Sequence, residues 1–156
     1  MPGRERIGLL LVTVRRRIKQ VTSLLLQGHD MSVQQFWTMV VIARNDGLSL
    51  RELAARRQMD EPTACRVVNS LVRRRLVRRS PDPADRRRSR LMLTPSGTEL
   101  TAGLLPVAEA ILAAVEGALT PGERRAVVSG LRKVIANLDQ FEASKAGRGS
   151  TTAIAV

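Results

Sequence analysis

Helix starts are marked along this chain by local hydrogen-bonding patterns, and these fix the number and order of its elements. Ser32-Val-Gln-Gln35, Ser49-Leu-Arg-Glu52 and Thr120-Pro-Gly-Glu123 each place a hydroxyl three residues ahead of a Gln or Glu. In such a capping box the hydroxyl accepts from an orphan amide of the first turn, and the longer side chain reaches back to the amide of the cap. Asp60, followed by Glu61 and Pro62, marks a fourth start and Thr94-Pro95 a fifth, because Asp and Thr accept at the N-cap and proline wastes no amide in a first turn. Ahead of them all, Ile7, Leu11, Val14, Ile18, Val21 and Leu25 recur at spacings of 4, 3, 4, 3 and 4. That spacing is one stripe of an amphipathic helix, which Gly28 should end.

Between these marks the apolar pattern predicts where each helix buries itself. The helix opened by Ser32 should turn Phe36, Met39/Val40 and Ala43 inward and stop before Asn45-Asp46-Gly47. The one opened by Ser49 should run to about Arg57 with Leu50, Leu53 and Ala54 inward, and the one opened by Asp60 to about Arg75 on a Val67/Val68/Leu71/Val72 core stripe. Two short helices joined by a turn of three or four residues are a helix-turn-helix signature. Leu76–Arg79 and Ser89–Leu93 then read as strands on either side of Pro81-Asp82-Pro83, which should continue neither helix nor paired strand. A hairpin placed directly after the second helix is a wing, and its tip reads Asp85-Arg86-Arg87-Arg88. Two long helices follow, with apolar residues at 3–4 spacing through Leu104–Leu119, interrupted by Pro106, and through Val127–Phe141. Residues 143–156 are small and polar without periodicity, which predicts a flexible C-terminal tail.

Charge says what such a scaffold meets. The 156 residues carry a formal charge of +12, and residues 51–90 alone hold 13 Arg against five acids, a balance of +8. So concentrated a field suits a polyanion, with a solvated charged face as the plain alternative. Phe36, Trp37 and Phe141 are the only aromatics, too few for recognition by base stacking. One cysteine, Cys65, and one histidine, His29, leave no set for a metal site, and a Ser/His/Asp set, a phosphate-cradling glycine loop and paired carboxylates are also lacking. No cofactor and no enzymatic activity are expected. Uninterrupted apolar runs are shorter than the roughly 18 residues of a membrane span, and Arg15–Arg17 stand where a leader's cleavage site would be, so the expected location is cytoplasmic.

Asp85-Arg86-Arg87 followed by Leu93-Thr94-Pro95-Ser96-Gly97 resembles the wing motif of the MarR (multiple-antibiotic-resistance regulator) family. Leu50–Ala54, Thr63–Leu71, Leu76-Val77 and Leu119–Glu123 support that resemblance, which covers residues 7–141 in order. It implies a mainly α, winged helix-turn-helix protein with N- and C-terminal dimerisation helices. Residues 1–28 and 100–142 would form the dimerisation region, and 32–99 the DNA-binding domain. The implied partners are a second copy of the chain, double-stranded DNA bearing a pseudo-palindromic operator, and a small aromatic or anionic effector that releases a repressor. A non-specific nucleoid protein is the alternative that the charge alone would also support.

By the same resemblance Asp60–Arg75 would read the major groove with Pro62, Thr63 and Arg66, Arg87 would enter the minor groove, and Asp85 would orient the wing arginines. Arg86, Arg88 and Arg90 are expected at phosphates. Departures from the family pattern are Arg75 where a glycine commonly ends the helix, Asn69-Ser70 for Asp-Arg, and Cys65, expected as a small buried or groove-facing residue. Trp37, His29 and Arg15–Arg17 are candidate lining of an effector pocket, although core, loop and solvated-face roles respectively explain each of them better, and the ligand itself is unknown.

Overall fold

The computed structural model describes residues 6–83 and 89–149. The chain divides into two compact units at Val115/Glu116. The first holds α1 (Ile7–Leu25), α2 (Val33–Arg44), β1 (Leu48–Ser49), α3 (Leu50–Arg57), α4 (Glu61–Arg73), β2 (Val77–Pro81), β3 (Ser89–Leu93) and nearly all of α5 (Pro95–Glu116); the second is built on α6 (Pro121–Gly149). It is a mainly α, winged helix-turn-helix fold, whose sheet is antiparallel in the order β1-β3-β2.

The helices begin where their caps stand. Ser32 accepts from the Gln35 amide at 3.2 Å while Gln35 Oε1 accepts from the Ser32 amide at 2.9 Å, and the Ser49/Glu52 and Thr120/Glu123 boxes close in the same way. Those bonds favour the charged form of Glu123, and its pKa is lowered by the Thr120 hydroxyl first and the Thr120 amide second.

Two cores fill the first unit. Met39 and Ile42 of α2 join Leu53, Val68, Leu71, Val77 and Leu91 in one, while Phe36 and Val40 join Leu26, Leu104, Ala108 and Ile111 in the other. Lying between two cores, α2 buries opposite sides of itself. Its inward set is therefore wider than one stripe: Ile42 is buried, whereas Ala43, expected inside, is exposed. By length and hydropathy α5 could cross a membrane, yet Leu104, Ala108 and Ile111 are buried in the second core and Glu109 pairs with Arg44 of α2.

Several boundaries differ from expectation. β1 lacks a strand pattern of its own and exists because Leu48 and Ser49 pair with Leu91 and Arg90. β2, an outer strand of the sheet, extends through Pro81, which pairs with Ser89 of the central β3; at an edge a missing amide is tolerated. α6 continues to Gly149, past the expected start of a tail at residue 143. Glu142, Ala143 and Lys145 are good helix formers, and extending an existing helix avoids the cost of nucleation.

The α4 terminus also departs from its expected length. It stops at Arg73 and closes with Leu76 N donating to Leu71 O at 3.0 Å and Arg75 N to Val72 O at 2.9 Å. That double bond pattern needs a left-handed residue, and Arg75 supplies it at φ +58 in place of the usual glycine. α3 ends likewise on Gln58 at φ +51.

Candidate nucleic-acid interface

Asp60 caps α4 and begins a relay along its exposed side. Its carboxylate accepts from the Thr63 amide at 2.7 Å and from the Thr63 hydroxyl at 2.9 Å. Both bonds favour the ionised form, and the Asp60 pKa is lowered, chiefly by the Thr63 amide, then by its hydroxyl, with the charge of Arg66 adding to the effect. Thr63, whose hydroxyl donates a hydrogen bond to Asp60, accepts one from Arg66 Nη2 at 2.8 Å. Three residues one turn apart thus hold a guanidinium at the positive end of the helix, and Pro62 and Arg66 are exposed while Thr63 is half-buried. The opposite face, Ala64, Val67, Val68 and Leu71, is buried, the last three in the first core. Of the residues singled out from sequence, Pro62, Thr63 and Arg66 therefore share one surface. Asp85, Arg86, Arg87 and Arg88 lie outside the described residues.

Arg79 belongs to the same surface. From β2 it reaches across to α4, where Nη2 donates to Asn69 Oδ1 at 2.8 Å and lies 3.7 Å from Cys65 Sγ. Asn69 also donates to Cys65 Sγ at 3.5 Å. Asn69 thus turns a position where the family pattern has a carboxylate into a neutral partner for an arginine. Ten residues separate Asn69 from Arg79, and no local pattern announces the pairing. Ser70, the other departure, accepts from Gln35 Nε2 at 2.9 Å and so ties α4 to α2.

Arg90, expected from sequence at a phosphate, pairs with Asp82 in this structure, with Nε at 3.0 Å from Oδ2 and Nη2 at 3.3 Å from Oδ1. Arg90 faces carboxylates, and its pKa is raised by the Asp82 hydrogen bonds first and the Asp82 charge second.

A cleft of about 1110 Å³ opens between α1, the start of α2 and the end of α3, lined among others by Arg15, Lys19, Ser23, Met31, Arg57 and Asp60. Burial lowers the Arg57 pKa, and its Nε is enclosed with no hydrogen-bond partner among the described residues. Of the earlier pocket candidates, Arg15 lines this cleft. Trp37 packs edge-on against Phe36 at 4.9 Å beside the second core, and His29 is exposed in the loop after α1.

Comparison with known proteins bears on this arrangement. The model of the MarR family matches residues 29–88. The transcriptional repressor NicR of Pseudomonas putida is 33% identical over 131 residues, covering 84% of this chain and 83% of NicR. Among solved structures, Bordetella bronchiseptica BpsR, whose DNA binding is regulated by 6-hydroxynicotinic acid, superposes with a TM-score of 0.72 at 31% identity, covering 86% of this chain and 97% of that one. Staphylococcus aureus MepR in complex with DNA superposes at 0.75 with 23% identity over 86% and 99% of the two chains, a likeness of fold.

Proposed function

This chain belongs to the MarR family, and from that premise we propose that it is a homodimeric, sequence-specific regulator of transcription that represses by occupying double-stranded DNA at an operator. The observation that carries this reading is the Asp60–Thr63–Arg66 relay, because it presents a pre-positioned arginine fork on the solvent face of the second helix of a helix-turn-helix. An arginine fork bonds the O6/N7 edge of guanine in the major groove, where every base pair presents a distinct pattern. Pro62 and Thr63 would approach the same base edges. The wing would add Arg87 in the minor groove, Asp85 to orient it, and Arg86 and Arg88 at phosphates, and Arg79 joins them as a backbone contact oriented by Asn69. Such a protein acts where the chromosome is, in the cytoplasm, and performs no catalysis.

Dimerisation through residues 1–28 and 100–142 accounts for the apolar surface that one chain leaves open, including Ile7, Leu9, Val12 and Leu24 of α1 and Ile135, Leu138 and Phe141 of α6. A two-fold pair buries these and spaces two recognition helices, one in each subunit, for a pseudo-palindromic site. NicR is a repressor and BpsR responds to an aromatic carboxylate. The cleft lined by Arg15, Lys19 and Arg57 offers cationic groups for such an effector, next to the Asp60 cap that starts the recognition helix.

Arg87→Ala is expected to weaken binding to a natural operator about tenfold or more while helicity and dimer mass stay those of the parent. Anisotropy titration at fixed salt, with circular dichroism and sedimentation alongside, measures this; unchanged affinity counts against the wing contact.

A further inference from the structure

Arg90 stands in the central strand, opposite Ser49 of β1 on one side and Ser80 of β2 on the other. Its stem passes over Gly47, where a Cβ would come within 3.3 Å of Arg90 Cδ, so the bare backbone there gives the side chain its path. At the end of that path the guanidinium meets Asp82 side-on, through two hydrogen bonds. Asp82 is well covered, at 17% side-chain exposure. Glu52 and Glu61 line the same recess. Arg51 lines it as well, so the chief obstacle to a phosphate at Arg90 is the bidentate carboxylate that it would have to displace.

Position in the chain gives the pair a different use. Residues 82 and 90 flank the segment 83–89, which carries Asp85 and Arg86–Arg88. The β2–β3 ladder ends at Pro81, which has no amide to donate, so backbone pairing weakens where that segment begins. The Asp82–Arg90 tie links the two chain segments just beyond that last backbone pair.

We propose that the Arg90–Asp82 pair is a positioning clamp at the base of the wing, on which the wing's contribution to DNA affinity depends, and that Arg90 makes no phosphate contact itself. This rests on the reading that the wing meets DNA.

The two roles for Arg90 predict opposite signs for Asp82→Asn. If Arg90 bound phosphate, removing a nearby negative charge would tighten binding, and Arg90→Met would lower the slope of log K against log salt by about one. A clamp predicts that Asp82→Asn and Arg90→Met each weaken binding, by about three- to tenfold, with the salt slope kept. Arg90→Lys should recover part of the loss, and the double variant Asp82→Arg/Arg90→Asp should bind better than either of its single changes. Anisotropy titrations over a salt series on one operator fragment, with melting curves for each variant, measure all of these; the charge-neutral double variant serves as the reading if Arg90→Met melts early. Binding by Asp82→Asn as tight as the parent or tighter, in a protein that Arg87→Ala does weaken, overturns the clamp alone. An unchanged affinity in Arg87→Ala overturns the wing reading and the clamp with it.

Discussion

Gly97→Ala is expected to cost about 3 kcal/mol or more and to lower the melting midpoint by about 6–12 °C. Propensity alone predicts the reverse, since alanine in a helix is favoured over glycine by about 1 kcal/mol. What decides the sign is the contact: a Cβ at Gly97 would lie 1.9 Å from the Leu76 carbonyl oxygen and 2.9 Å from its carbon. Leu76 has little freedom to yield. Its amide closes α4 through Leu71 O at 3.0 Å, and its carbonyl accepts from the Thr94 amide at 3.1 Å. Thr94 in turn donates from Oγ1 to Arg75 O at 2.6 Å and accepts from the Gly97 amide at 3.0 Å. The start of α5 is therefore locked to the end of the recognition helix. Thermal melting at one fixed protein concentration measures the effect, and an alanine variant as stable as the parent would contradict this joint.

Arg66→Ala is expected to remove about 1–3 kcal/mol of discrimination at one base pair in each half-site. Affinity for the natural operator falls accordingly, while affinity for a fragment already altered at that pair changes little, because the arginine has nothing left there to read. Thr63→Val should reproduce part of the effect, since it deletes the hydroxyl that accepts from Arg66 Nη2 and donates to Asp60. Titrations against the operator and a set of single-base variants separate the two roles that an arginine can play. Uniform weakening across the whole set, with the salt slope reduced by about one, would make Arg66 a phosphate contact instead.

The legible part of the fold is the part held by local hydrogen bonds. Ser32 with Gln35, Ser49 with Glu52, Asp60 with Thr63 and Thr120 with Glu123 all close over three residues, so sequence spacing already contains their geometry. Pro62, Thr63 and Arg66 share a face for the same reason, as helical neighbours outside a clear core stripe.

What was not legible depends on neighbours distant in sequence. β1 is two residues long and is a strand only through β3. Ile42 is buried in place of Ala43 because α2 is covered from two sides. Arg75 holds a left-handed angle because two helix-closing bonds and the Thr94 hydroxyl converge on it and on Leu76. Arg79 and Arg90 read as two more charges in a basic stretch until Asn69 and Asp82 are found beside them. A count of +8 treats thirteen arginines alike, yet some face solvent at the helix N-terminus and others are committed to partners within the fold.

Whether this chain distinguishes one DNA sequence from others is measured by a single competition. Fragments of the source genome are selected by binding, the recovered site is labelled, and its affinity is compared by anisotropy at physiological salt with that of a shuffled fragment of equal length. A sequence-specific dimer selects a two-fold-related site, with a preference of roughly a thousandfold or more over the shuffled sequence. Equal affinity for both fragments, with the salt dependence of a polycation, would contradict it and leave a non-specific DNA-binding protein in its place.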